Sequence, residues 1–138
     1  MQLGMAAAAL GSIMLLTACA TNRTPLADAQ PVPEDRMIRP IVTSVDPAQC
    51  IFVRDTGFLG SGSYVVILIN ERSVAVMATG ERADIRLDPG EYLFGALVKD
   101  PFGLSNPVVI EQTIRAGSTY TYRLSFDGNG RPDLHRTL

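Results

Sequence analysis

The chain predicts an all-β protein: a single immunoglobulin-like, Greek-key β-sandwich of about seven strands, set behind a signal peptide and a proline-rich tether. Three observations carry this expectation. From Gln49 onward, apolar residues recur with period two or in short unbroken runs. Gly- and Pro-containing turns separate those runs at short intervals. No stretch after Ala48 shows a capped apolar stripe of 3.6-residue period.

The first segment is of a different kind. Met5 to Ala18 carries no charge and is broken only by Gly4 just before it, Gly11 and Ser12. It is too short to cross a bilayer core of ~30 Å as a permanent helix, and it suits the apolar region of an export signal. It closes on Leu16-Thr17-Ala18-Cys19, the order of a bacterial lipobox. A peptidase groove takes Leu and small side chains just before the cut, and the Cys thiol must be free to carry a diacylglyceryl thioether. The expectation is a signal peptide over 1–18 and a lipidated Cys19 as the first residue of the mature chain. One feature departs from the pattern, because Met1 to Met5 holds no Lys or Arg. Ala20 stands where an Asp would retain many such proteins in the inner membrane. In a diderm host this points to the outer membrane, facing the periplasm. Attachment would come from the acyl chains, each buried CH₂ contributing ~0.8 kcal/mol.

Residues 19–47 follow as a flexible tether, extended by Pro25, Pro31, Pro33, Pro40 and Pro47. Its one apolar patch, Met37 to Val42, is a candidate edge segment, since Pro40 is tolerated only at an edge. The sandwich domain is expected over 48–126. Cys50 to Arg54 reads as a strand, and Tyr64 to Ile69 as an apolar run buried in a sheet. Asn70-Glu71-Arg72 turns that run into a hairpin partner, Ser73 to Met77. Ala83 to Leu87 alternates, with Ala83, Ile85 and Leu87 inward and Asp84 and Arg86 outward. Asp88-Pro89-Gly90-Glu91 fits a type II turn, in which Gly accepts positive φ at the third place. Tyr92 to Val98, Val108 to Ile114 and Thr119 to Phe126 complete the set, the last with Tyr120, Tyr122, Leu124 and Phe126 on one face. Residues 127–138 read as a polar C-terminal tail.

Taken together, Ile51-Phe52-Val53-Arg54, Gly57-Phe58-Leu59-Gly60-Ser61-Gly62, Asp88-Pro89-Gly90-Glu91-Tyr92 and Ala116-Gly117-Ser118-Thr119-Tyr120-Thr121-Tyr122 resemble a family of small bacterial lipoproteins. That family is built on a domain of unknown function and is similar in outline to PEGA-type and transthyretin-like sandwich modules. The resemblance covers roughly residues 49 to 126. It implies a sandwich on a lipid anchor and brings no catalytic or ligand residues with it, because each motif marks a turn or a packed strand.

The chemistry the chain offers is sparse. With 12 basic and 14 acidic residues the net charge is −2, which gives no electrostatic reason to expect nucleic acid as partner. Cys19 is consumed by lipidation, so Cys50 has no intramolecular partner and reads as a buried, inert thiol. Gly57 to Ser63 is glycine-rich, but no Gly-Lys follows and a strand comes next, so a phosphate cradle is the weaker reading. Ser61 is not in Gly-x-Ser-x-Gly, and His135 lies in the polar C-terminal stretch, which makes a Ser-His-Asp arrangement a poor reading. Asp127-Gly128-Asn129-Gly130-Arg131-Pro132-Asp133 begins like a calcium loop. Arg131 then takes a ligand place and no closing Glu follows. Arg54, Asp55, Lys99 and Asp100 read as surface charges or salt bridges.

Phe58 and Leu59, with Phe102 and Leu104, put apolar side chains on glycine-rich loops and are the candidate interaction loops. Folding back over the sandwich ends is the plainer reading of the same residues. No cofactor, metal or enzymatic activity is expected. The leading expectation is a non-enzymatic, lipid-anchored module of the cell envelope with an envelope protein as partner. The alternative is a small-ligand or glycan-binding lipoprotein using the loops around Phe58 and Phe102.

Overall fold

The computed structural model describes residues 22–57, 62–100 and 103–138, without the side chains of Asp100, Gly103 and Leu104. In chain order it holds β1 (Gln30–Pro31), a 3-10 turn (Glu34–Arg36), β2 (Ala48–Arg54), β3 (Tyr64–Ile69), β4 (Arg72–Met77) and β5 (Glu81–Leu87). These are followed by β6 (Gly90–Asp100), β7 (Gly103–Leu104), β8 (Val108–Ile114), β9 (Thr119–Phe126) and β10 (Pro132–Thr137). One sheet runs β1-β5-β2-β9-β10. The other runs β4-β3-β6, with β8 and then the short β7 along the far side of β6. The two pack face to face as the expected all-β sandwich.

The seven strands expected from sequence are all present. Lettered A to G, D, A and G share one sheet while C, B, E and F share the other. The first two therefore lie in opposite sheets, whereas an immunoglobulin constant domain holds A, B, E and D together.

Period-two patterning sets what faces the core. Ala48, Cys50 and Phe52 of β2, Ala83, Ile85 and Leu87 of β5, and Tyr120, Tyr122 and Leu124 of β9 point inward from one sheet. Val65, Ile67 and Ile69 of β3 and Phe94 and Ala96 of β6 meet them from the other. At the centre Phe52 stacks on Tyr122 at 5.2 Å between ring centroids, and Phe94 meets both edge-on at 5.3 and 5.0 Å. Such pairs add about 0.5–1.5 kcal/mol each beyond the area they bury.

The β3–β4 hairpin closes on Asn70 (φ 48°) and Glu71 (φ 66°). Two successive positive φ values match a type I′ turn, whose twist suits the paired strands. The turn before β6 differs from the type II expectation. Gly90 has φ 157° and already pairs with Ile114 as the first residue of β6. A type II third position needs φ near about 80°.

Two boundaries also move. Residues 127–138 are not a polar tail: β10 pairs along β9 from Phe126 to Thr121, and Leu134 joins the core at 2% exposure. The alternation of Leu134 between Asp133 and His135 carries that strand, and its charged neighbours disguise it.

Nor do residues 22–47 form a free tether. They make a strap that runs the length of the sandwich. Asn22 bridges Thr56 with backbone bonds of 2.6 and 3.0 Å. Leu26 and Ala29 then cover Ile51 and Val53 on the outer face of β2. Gln30–Pro31 adds a short parallel strand to β5, and Val32 enters the main core. At the turn, Arg36 grips Glu81 through both guanidinium nitrogens at 2.9 and 2.6 Å and also donates to the Val76 carbonyl at 3.0 Å. The patch at Met37 crosses to the other sheet: Met37 bridges Ala75, and the Ile38 N–H donates to the Val74 carbonyl at 2.8 Å. The strap ends where the N–H groups of Thr43 and Ser44 donate to the Asp88 carboxylate and Gly117 donates to the Asp46 carbonyl.

Candidate functional site

The strap gives the sandwich two distinguishable ends. At one, Asn22 meets Thr56, and the chain leaves the described structure. By the pairing of Arg54 with Leu124, Tyr64 with Lys99 and Phe126 with Pro132, four connections start and finish at this same end. They are 55–63, 78–80, 101–107 and 127–131. The opposite end carries the Asn70-Glu71 turn, Asp88 and the Arg115–Ser118 turn.

The sequence-derived candidates can now be placed. Cys19, Phe58, Leu59 and Phe102 lie outside the described residues. Leu104 is placed by its backbone alone, paired with Lys99. The connections that hold Phe58 and Leu59, and Phe102 and Leu104, therefore start and finish at the Asn22 end. Gly57 and Gly62 are the described residues on either side of 58–61 in the first.

The interior of this end is built from charge. Arg54 points inward at the end of β2 and is 1% exposed. Its Nη1 donates to the carbonyls of Ser63 at 2.6 Å and Met77 at 2.7 Å, and its guanidinium lies 5.5 Å from the centroid of the Phe126 ring. Burial lowers its pKa to about 10, with Glu81 opposing, so it stays charged at neutral pH. The next residue, Asp55, faces outward beneath the strap. Its Oδ1 accepts from Arg123 Nη1 at 2.5 Å and from the Thr24 N–H at 3.0 Å. Arg123 also donates to the Thr24 carbonyl at 2.8 Å. Both side chains are under a tenth exposed. Arg54 and Asp55 are therefore internal fastenings of this end: of the two sequence readings, surface charge or salt bridge, Asp55 takes the second and Arg54 is buried against carbonyls.

Other candidates dissolve into structure. Cys50 is fully buried, and burial raises its pKa to about 12, so its thiolate is suppressed. His135 is exposed and meets Asp133 at 2.9 Å, two residues away on the same strand. Asp127 Oδ1 accepts the N–H groups of Asn129 and Arg131, both at 2.9 Å, and these bonds hold its carboxyl below the usual range. Its loop is thus a β9–β10 hairpin turn. Among the described residues, no group of three or more His, Cys, Asp or Glu side chains could hold a metal.

One surface feature was not singled out from sequence. A groove of about 640 Å³ lies between strap residues 38–41 and the β3–β4 hairpin, lined by Ile38, Ile41, Ile69, Leu87 and Tyr92. It is at the end opposite to Asn22. Ile41 is 90% exposed beside it. The signal for it was the Met37 to Val42 patch, whose apolar residues divide between the sheet edge and water. No protein-family model matches the chain, and no curated protein matches its sequence.

Proposed function

We propose that the chain is a lipid-anchored cell-envelope protein, fixed in the membrane through Cys19, whose β-sandwich serves as a non-enzymatic interaction or accessory module. The outer membrane, on its periplasmic face, is the proposed location. The observation that carries this reading is Leu16-Thr17-Ala18-Cys19 at the end of an uncharged apolar run. Two features support it. The strap joins that run directly to a folded sandwich. In addition, the buried ionic groups of the described residues, Arg54, Asp55 and Arg123, are engaged in holding strands and strap together. A partner would be another envelope component, met by the sandwich surface, with no cofactor required.

The test is chemical. Wild-type protein should partition with detergent and yield an N-terminal peptide carrying diacylglyceryl mass on Cys19. Cys19→Ser offers no thiol for the thioether and should move to the aqueous phase or persist uncleaved. If wild type carries no lipid mass and the variant partitions alike, the reading is wrong.

A further inference from the structure

We infer that the sandwich stands end-on against the lipid surface that holds Cys19, with Arg23, Lys99 and Arg131 turned toward the headgroups. The inference rests on the lipid anchor proposed above and adds what the anchor does to the domain. Only Ala20 and Thr21 separate Cys19 from Asn22. Three Cα–Cα steps of 3.80 Å cannot exceed ~11 Å, whatever conformation they take. Asn22 is itself pinned to Thr56 by two backbone bonds, and two residues on Thr24 is buried against Asp55 and Arg123. The acylated residue is thereby held close to one end of the fold. The far end lies about 26 Å away, judged from the eight residues of β9 at ~3.3 Å each.

The place of the link, at one end of the sandwich, selects end-on over side-on. Among the described side chains, the tip around Asn22 presents Arg23, Lys99 and Arg131, all exposed, against Asp28, Asp127 and Asp133. The Asp127 carboxylate is already occupied by the N–H groups of its own turn. Lying on the strap instead would press Glu34 and Asp35, both exposed, onto lipid phosphates. Juxtamembrane cations are attracted to an anionic leaflet, and exposed carboxylates are repelled by the same field. The surface left facing the envelope space is then the far end: the groove beside Ile41 and the Arg115–Ser118 turn.

The experiment uses the full-length acylated protein in vesicles of phosphatidylethanolamine with a minority of phosphatidylglycerol, doped with headgroup-quencher lipid. Three single-cysteine variants, Asn129→Cys, Ala116→Cys and Ile41→Cys, carry a fluorophore. Native Cys50 is buried and its thiolate suppressed, so it stays unlabelled. Quenching at 129 should be several-fold stronger than at 116 or 41. Equal quenching at 41 would mean a side-on pose, and equal quenching at 116 an inverted or random one; either overturns the inference while the anchor stands. Inserting about 20 Gly/Ser residues between Thr21 and Asn22, with a reach of about 25 Å, should bring quenching at 129 down to the level at 116. If it persists, the short link does not set the pose and the inference fails. Mass analysis of the N-terminal peptide separates these outcomes from loss of the anchor itself, since an unacylated chain sinks both proposals.

Discussion

The two halves of the strap are similar in composition and opposite in behaviour. In the first, Thr24, Ala29 and Val32 are each 6% exposed. In the second, Ile38, Ile41 and Val45 are 67%, 90% and 104% exposed. The difference lies beneath them. The first half crosses the outer face of β2, where Ile51 and Val53 offer apolar area to cover. The second half runs along the edge between β4 and β5, and is held by polar contacts such as the Ile38 N–H donating to the Val74 carbonyl at 2.8 Å and Arg39 donating to the Asp84 carbonyl at 3.1 Å. An apolar side chain is buried where a complementary surface receives it. Its own hydropathy does not suffice.

The largest effect should come from the charged fastening of the first half. Asp55→Ala leaves Arg123 buried without its carboxylate, and truncating one partner of such a pair costs about 3–5 kcal/mol. Urea unfolding should show that loss. The double variant Asp55→Ala/Arg123→Met should recover much of it, because the orphaned charge is gone. A single-variant loss below that of an ordinary surface change would mean that the strap is not held by this pair.

The same substitution in each half sharpens the contrast. Val32→Ala removes buried methyl groups from the core and should cost about 1–2 kcal/mol at ~0.8 kcal/mol per buried CH₂. Val45→Ala should stay within about 0.5 kcal/mol, as for surface positions generally. Equal costs, in either direction, would erase the distinction between the halves.

The smallest effect is a titration. The N–H of Ser44, then the hydroxyl and N–H of Thr43, hold the Asp88 carboxyl below its ordinary value of 3.8. A depressed folded pKa stabilises the end of the strap above the ordinary value, and the contribution is lost as pH falls through the folded one. Amide exchange at Thr43 and Ser44 should therefore quicken as the solution is acidified below 3.8, before the first half of the strap loosens. Asp88→Asn should remove that pH dependence.

Much of the sandwich was legible because its strands obey a period of two: Ala83, Ile85 and Leu87 alternate with charge, and Tyr120, Tyr122 and Leu124 share a face. The strap was not, because five prolines and scattered charges look like an extended linker. Its contacts depend on strands far away in sequence. One sign was available. Cys50-Ile51-Phe52-Val53 is apolar on both faces of β2, which requires a cover on the outside as well as the inside. β10 hid for a related reason, since Leu134 is its only strongly apolar member before Leu138. Of the candidate site residues, the loop positions were readable as apolar residues among glycines. That both of their connections start and finish at the Asn22 end was not, since that follows from strand pairing alone.

The buried fastening at Thr24 has a consequence in time. Its carbonyl accepts from Arg123, 99 positions further along the chain. A strap that is synthesised early finds its partner only once β9 has been made, and closing so long a loop is entropically costly. The first residues of the strap thus join the fold late. Until they do, the outer face of β2, with Ile51 and Val53, stands bare.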